Sequence, residues 1–226
     1  MLDDGPRYVS RAGEKLAAAV ERFDLVPVVA GARVLDAGAS TGGFTDVLLQ
    51  SGAAHVVAVD VGYGQLHERV AGDPRVEVRD RTNVRELAPG DLGEPVDVVV
   101  ADLSFISLRT VLPALLGAAR PGATMVLLVK PQFEARREDA ARARGVIRDH
   151  GVWRQVLRDV EDALRVRGAA IMGAMVSPLH GADGNVEFLL HVRAPGPADP
   201  DPDPDGESES DHGGLNVERL VREAGG

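Results

Sequence analysis

Only two of the 25 basic residues are lysines, Lys15 and Lys130, and all the others are arginines. Lysine can release its proton near neutrality when its surroundings demand it, whereas arginine cannot. Lys130 follows the apolar run Met125–Val129 and precedes Pro131, the kind of position where a buried strand ends and an α/β site begins. A lysine there suits proton transfer, although composition alone allows both lysines to be chance survivors. A second group of residues suits anion and ribose binding. Asp36-Ala-Gly-Ala-Ser-Thr-Gly-Gly-Phe44 joins an apolar run to a helical stretch, so backbone amides and a positive helix end can hold a carboxylate or phosphate against the main chain. Asp60 ends the next apolar run, where a carboxylate can bind ribose hydroxyls in dinucleotide and S-adenosylmethionine sites alike. The glycine spacing departs from Gly-x-Gly-x-x-Gly, and the absence of Gly-x-x-x-x-Gly-Lys-Ser/Thr disfavours a nucleoside triphosphatase.

These residues need a sheet to converge them. Arg33–Gly38, His55–Asp60, Val76–Arg79, Val96–Asp102 and Ala123–Lys130 read as strands; Thr41–Ser51, Gln65–Ala71, Leu108–Ala119 and Val152–Arg167 read as helices between them. Alternation of this kind means parallel strands with crossover helices, and continuous β-branched runs fit a sheet covered on both faces. The runs Ala169–Val176 and Val186–Val192 are joined only by the turn Ser177–Asn185, which is too short for a crossover and makes the last strand antiparallel. The expected fold is therefore α/β, a Rossmann-like seven-stranded sheet, mostly parallel with the last strand antiparallel, as in class I S-adenosylmethionine-dependent methyltransferases.

The chain has 226 residues, 44% of them hydrophobic, enough for one full α/β core. Its net charge of -10 is unevenly placed. The stretch after Ala198 carries nine acids against Arg219 and Arg222, leaving the body close to neutral. Residues 195–214, with their Asp-Pro alternation, read as a flexible acidic Pro-rich linker between a domain at 1–194 and a short helix at 215–226 marked by Leu215, Leu220 and Val221. A solvated tail is its first reading and mimicry of nucleic acid its second. With no cysteine and no paired histidine spacing, no metal is expected. No apolar stretch approaches the roughly 20 residues of a membrane span, and Met1-Leu-Asp-Asp4 lacks a cationic secretory start, so a soluble cytoplasmic protein is expected.

Seven motifs in order carry a resemblance. Tyr8-Val-Ser-Arg-Ala-Gly-Glu-Lys-Leu16, Asp36 to Thr45, Val59-Asp-Val-Gly-Tyr-Gly-Gln-Leu66, Arg81-Thr-Asn83, Ala101-Asp-Leu-Ser-Phe-Ile-Ser107, Leu128-Val-Lys-Pro-Gln-Phe-Glu134, and Ser177-Pro-Leu179 with Gly184-Asn-Val-Glu187 closely resemble the TlyA family of FtsJ-like ribose 2′-O-methyltransferases. The match runs from residue 7 to about 194. It implies methylation of cytidine ribose in ribosomal RNA, with S-adenosylmethionine as cofactor and ribosomal RNA or a ribosomal subunit as partner. It also implies a catalytic set of Lys15, Asp102, Lys130 and Glu187. The cofactor contacts it implies are Asp36, Gly38, Ala39, Ser40, Thr41, Gly42, Gly43, Phe44, Asp60, Val61, Thr82, Asn83, Asp102 and Leu103. Some members are labelled hemolysins, but no apolar hairpin or membrane-length segment supports a pore here. Members usually begin with a small RNA-binding domain; only seven residues precede Tyr8-Val-Ser-Arg11 in this chain, as a trimmed form or a natural short form would have it.

Both rare lysines thus fall within one implied site. A ribose hydroxyl needs a base, yet a lysine with the reference pKa of about 10.4 is neutral in roughly one molecule per thousand near pH 7.4. Burial and a neighbouring ammonium favour the neutral amine and neighbouring carboxylates oppose it, so the balance stays open. The implied roles are Lys130 as base, Asp102 orienting it near the sulfonium, and Lys15 and Glu187 steering the hydroxyl. For RNA, Arg7, Arg11 and the group Arg136, Arg137, Arg142, Arg144 and Arg148 can meet phosphates, and Phe105 or Phe133 can stack on a flipped base, against the ordinary alternatives of solvated arginines and core phenylalanines. The segment Ala135–Arg144 looks helical and more charged than the glycine-rich loop usual in the family. Two other readings remain: a methyltransferase of the same fold acting on a small molecule or another RNA, favoured by the near-neutral body, and a non-catalytic S-adenosylmethionine or RNA-binding module. The oligomeric state and target nucleotide are left open.

Overall fold

In the computed structural model, which describes residues 6–196 and 214–226, the apolar runs become the strands of one sheet. In chain order the elements are α1 (Ala12–Arg22), α2 (Val26–Val29), β1 (Arg33–Ala37), α3 (Gly43–Gln50), β2 (His55–Val59), α4 (Glu68–Ala71), β3 (Val76–Arg79), β4 (Val96–Ala101), α5 (Leu108–Ala118), β5 (Ala119–Val129), α6 (Pro131–Glu134), α7 (Arg137–Arg142), α8 (His150–Arg165), β6 (Ala170–Val176), β7 (Phe188–Arg193) and α9 (Val217–Gly225). The strand order is β3-β2-β1-β4-β5-β7-β6. Strands β1 to β5 pair in parallel, and β7 runs antiparallel to both β5 and β6. The short turn after β6 therefore reverses the last strand, as its length requires.

Continuous apolar runs suit this sheet because both faces are covered. Along β1, Val34 packs toward α1 and α3 while Leu35 packs on the side of α5 and α8, and Val56 and Val57 of β2 divide in the same way. Each of these four side chains is fully removed from solvent. On the second side, Val217, Leu220 and Val221 of α9 complete the core, and Leu215 N donates to Glu161 Oε1 at 2.7 Å. The chain leaves β7 at Arg193, which pairs with Ala170 and Thr124, so both Arg193 and Leu215 lie toward the end of the sheet opposite the strand termini that carry Asp60, Asp102 and Lys130. Residues 197–213, and with them most of the linker read from composition, lie outside the described residues. Among the described residues no helix is long and apolar enough to cross a membrane.

Several elements differ from the sequence reading, among them the short helices α2 and α6, which it did not anticipate. Helix α1 was not anticipated, because Gly13 stands in its first turn and its buried stripe of Leu16, Ala19 and Val20 is weakly apolar. Gly13 is there because a Cβ would run into the Tyr8 ring. Of the expected helix Gln65–Ala71 only Glu68–Ala71 coils: His67 is extended, its Nδ1 accepts from Arg69 N at 3.1 Å, and the cap delays the first turn. Strand β5 starts at Ala119 instead of Ala123, because the backbone leaving α5 pairs with β4 at once, with a bulge between Val96 and Val98.

Candidate active site

The carboxyl ends of β4 and β5 and the start of β7 meet at one edge of the sheet. Ala101 of β4 faces Leu127 of β5, which leaves Asp102 at the mouth of the strand pair. Val129 faces Phe188 across the β5–β7 ladder, so the next residue on each strand, Lys130 and Glu187, continues the same register. Helix α1 reaches the edge with Lys15 in its first turn and a half. Two ion pairs result: Lys15 Nζ to Glu187 Oε2 at 2.5 Å, and Lys130 Nζ to Asp102 Oδ1 at 2.6 Å. Lys15 and Glu187 keep only 6% and 2% of their surface, and Lys130 keeps 9%. Charges so deeply buried persist only when paired, and here each lysine has its own carboxylate. The Lys15 ammonium, read from sequence as a repulsive neighbour of Lys130, is thus already engaged by Glu187. Lys130 Nζ also donates to Ser104 Oγ at 2.9 Å. Ser104 was not among the sequence-derived site residues; its signal was its place two residues beyond Asp102 in the loop leaving β4.

That loop is held at its far end. Glu134, buried at the end of α6, accepts from Leu108 N, from Ser107 Oγ at 2.6 Å and from Arg109 Nε at 3.2 Å, which caps α5. Between the two fixed ends Phe105 projects into solvent, 91% exposed and with φ at 64°. A phenylalanine in the left-handed region is strained by about 1–2 kcal/mol. Its ring sits 5.1 Å from that of Phe133, tilted by 50°. Phe105 is therefore no part of the core.

Two hollows share a wall at this edge. One, of about 330 Å³, lies between the ends of β1, β2 and β4 and is lined by Asp60, Val61, Gln65, Thr82, Asn83, Leu103, Phe105 and Ile106 among others. The other, of about 160 Å³, runs over the glycine loop from Ala39, Ser40 and Thr41 to Gly43, Phe44 and Lys130. Gly38, Ser40, Asp102 and Ser104 belong to both. Gly38 has φ at 85°, and a side chain there would collide with the Asp102 carbonyl; only glycine lets β1 and β4 close up beneath the shared wall. Asp60 is fixed by its neighbours: Oδ2 accepts from Ser40 N at 2.8 Å and Oδ1 from Gly62 N at 2.7 Å. A carboxylate in that position, apolar walls at Val61, Leu103 and Ile106, and side-chain amides at Asn83 and Gln65 suit a nucleoside: the acid for the ribose diol, the slot for the base. The adjoining hollow at the start of α3 suits the amino-acid end of S-adenosylmethionine. The residues present fit that cofactor.

Several sequence-derived residues lie elsewhere. Asp36 lines neither hollow; it is fully buried, with Oδ2 accepting from Thr45 Oγ1 at 2.5 Å and Oδ1 without a partner. Burial pushes its carboxyl up to about 7, with the Thr45 hydrogen bond opposing and the charges of Asp102 and Asp60 assisting. Gly42 also lines neither hollow and instead caps α3 at φ 91°, packed on Leu66. None of Arg7, Arg11, Arg136 and Arg137 lines either hollow. Arg7 lies over Tyr8 in a separate groove beside α1, Arg11 is exposed at the start of α1, Arg136 borders a depression with Asp139, Asp149 and Asp159, and Arg137 is exposed at the start of α7. Phe105 lines the larger hollow, and Phe133 stands 5.9 Å from Lys130 Nζ.

Residues 8–194 match the family described as FtsJ-like methyltransferase. The chain is 51% identical over 193 residues to the 16S/23S rRNA (cytidine-2′-O)-methyltransferase TlyA of Mycobacterium tuberculosis, a match covering 85% of this chain and 71% of that protein. It is 38% identical to Hemolysin A of Brachyspira hyodysenteriae over 82% of this chain and 76% of that one. Among solved structures, the protein described as "Putative hemolysin from Streptococcus thermophilus" superposes with a TM-score of 0.85 at 38% identity, covering 98% of this chain and 76% of the other.

Proposed function

The chain belongs to the FtsJ-like methyltransferase family, and on that premise we propose that it transfers a methyl group from S-adenosylmethionine to the 2′-hydroxyl of a cytidine in ribosomal RNA. The observation that carries this reading is Lys130, nine-tenths buried, bound to Asp102 at the wall shared by both hollows. When bound, S-adenosylmethionine supplies an electrophilic methyl on a sulfonium, which an oxygen nucleophile can take by in-line displacement without a metal.

The protein's part is to position the hydroxyl and remove its proton. Lys130 receives the 2′-OH proton as the oxygen–carbon bond forms. Asp102 holds Lys130 Nζ in place by the 2.6 Å contact and keeps it from swinging into solvent. Lys15 and Glu187 form a buried pair that lines neither hollow, and its part is to hold the edge from which Lys130 meets the ribose. Holding nucleophile and acceptor in attack geometry supplies much of the acceleration. Asp60, Val61, Thr82, Asn83 and Leu103 hold the nucleoside end of the cofactor, and the segment from Gly38 to Phe44 holds its amino-acid end.

RNA is the substrate class. The strained, exposed Phe105 beside Phe133 offers a stacking face for a base drawn out of its helix, at the rim of the cofactor hollow. The exposed arginines Arg7, Arg11, Arg136 and Arg137 lie outside the hollows, so any phosphates they meet belong to RNA beyond the target nucleotide. The test is methyl transfer from labelled S-adenosylmethionine to ribosomal subunits, free ribosomal RNA and a small-molecule extract. Label at a cytidine whose 3′ linkage resists alkaline hydrolysis is expected, together with its loss in Lys130→Arg. Label confined to small molecules, or full activity in Lys130→Arg, would overturn the reading.

A further inference from the structure

We propose that Ser104 is a positioning residue that aims the lone pair of Lys130 at the ribose hydroxyl. The inference rests on the reading of Lys130 as base and adds a residue to it. A neutral lysine amine has two N–H bonds and one lone pair, and rotation about its last bond points any of the three at the substrate. Lys130 has two acceptors within reach, Asp102 Oδ1 at 2.6 Å and Ser104 Oγ at 2.9 Å. With both N–H bonds so occupied, the lone pair takes the remaining direction. With Asp102 alone, one N–H and the lone pair exchange places freely, and a fraction of encounters presents the hydroxyl with a donor in place of a base.

The location of Ser104 supports the assignment. Its side chain lies on the wall common to both hollows, while the lysine it binds is nine-tenths buried. The bond therefore stands at the opening through which a hydroxyl must reach Lys130. The loop bearing Ser104 is held between Asp102 and the Glu134 anchor at Ser107, and it keeps its shape despite the left-handed backbone of Phe105. A serine left there only for solubility needs none of these constraints.

Ser104→Ala and Ser104→Thr are compared with the parent chain in single-turnover methylation of ribosomal RNA at saturating cofactor, across a pH series, with cofactor affinity measured by calorimetry. Ser104→Ala is expected to lower the plateau rate by roughly 10- to 100-fold, the scale of a lost hydrogen bond to a charged group, with cofactor affinity changed less than about 3-fold. Because the lost acceptor favours the ammonium over the amine, the rising limb of the pH profile also moves to lower pH, which a merely structural lesion would not do. Ser104→Thr restores the hydroxyl and recovers most of the rate. A plateau within about 3-fold of the parent in Ser104→Ala, an unmoved rising limb, an equal loss in Ser104→Thr, or a loss of cofactor affinity in step with the rate each overturns the role of Ser104. Should Lys130→Arg retain turnover in the same assay, it is the base itself that fails, and the two failures are thereby told apart.

Discussion

Asp36 offers the sharpest thermodynamic test of the fold, because its environment penalises its charge. The carboxyl is fully buried, has one partner in Thr45, and is pushed up to about 7 from 3.8. The unfolded chain releases this proton near the ordinary value while the folded chain retains it, so the folded state binds more protons between those two pH values. Stability must therefore fall as pH rises through that window and level off above it. Ionising the buried group costs at most about 4 kcal/mol, and roughly 2.5 kcal/mol of that falls between pH 5 and pH 8. In Asp36→Asn the titration is removed. The variant should gain on the parent by roughly 2.5 kcal/mol between those two pH values, or roughly 5–10 °C in melting temperature for a chain of this size. Denaturant and thermal unfolding of both proteins at pH 5 and pH 8 reads this directly. Any constant offset from the new amide cancels in the difference, as does His191, whose pKa burial lowers in both chains. A stability difference that does not change with pH would refute the reasoning.

Asp60→Ala removes the acceptor of Ser40 N and Gly62 N along with the proposed ribose partner. Calorimetry should show S-adenosylmethionine affinity weakened by roughly 10-fold or more, and unaltered binding would remove Asp60 from the site. Phe105→Asn relieves the left-handed backbone and exposes no core, so unfolding experiments should find it unchanged or up to about 1 kcal/mol more stable. The same variant should methylate RNA more slowly for want of a stacking face, and undiminished methylation would show that Phe105 does not touch the base.

The sheet was legible because its strands are long apolar runs that need cover on both faces, and the reversed strand because nine residues cannot form a crossover. Helix α1 was not: its weakly apolar stripe of Leu16, Ala19 and Val20 folds by packing on Tyr8 just upstream and on α3 across the intervening strand. Lys15 thereby acquired a partner 172 residues distant that no local pattern announces. Asp36 and Asp60 show the limit most clearly. Both are acids closing an apolar run and look alike in sequence, yet Asp36 lies inside β1, paired with Ala58 and Val100 and sealed beneath Thr45, whereas Asp60 lies one residue past the end of β2 and faces the larger hollow. Ser104 was equally hidden, since an exposed serine in a loop has no distinguishing mark until Lys130 is placed against it.

The anchorage of β7 and α9 sets a distance between two ends of the molecule. Arg193 pairs with Thr124 and Ala170, and Leu215 N donates to Glu161 Oε1, whereas Lys130 and Glu187 continue from the Val129–Phe188 pair at the other end of the same ladder. The β5–β7 ladder is thus a spacer, and a label attached at Arg193 or Leu215 stands a full strand length from the working edge that bears Lys130 and Phe105.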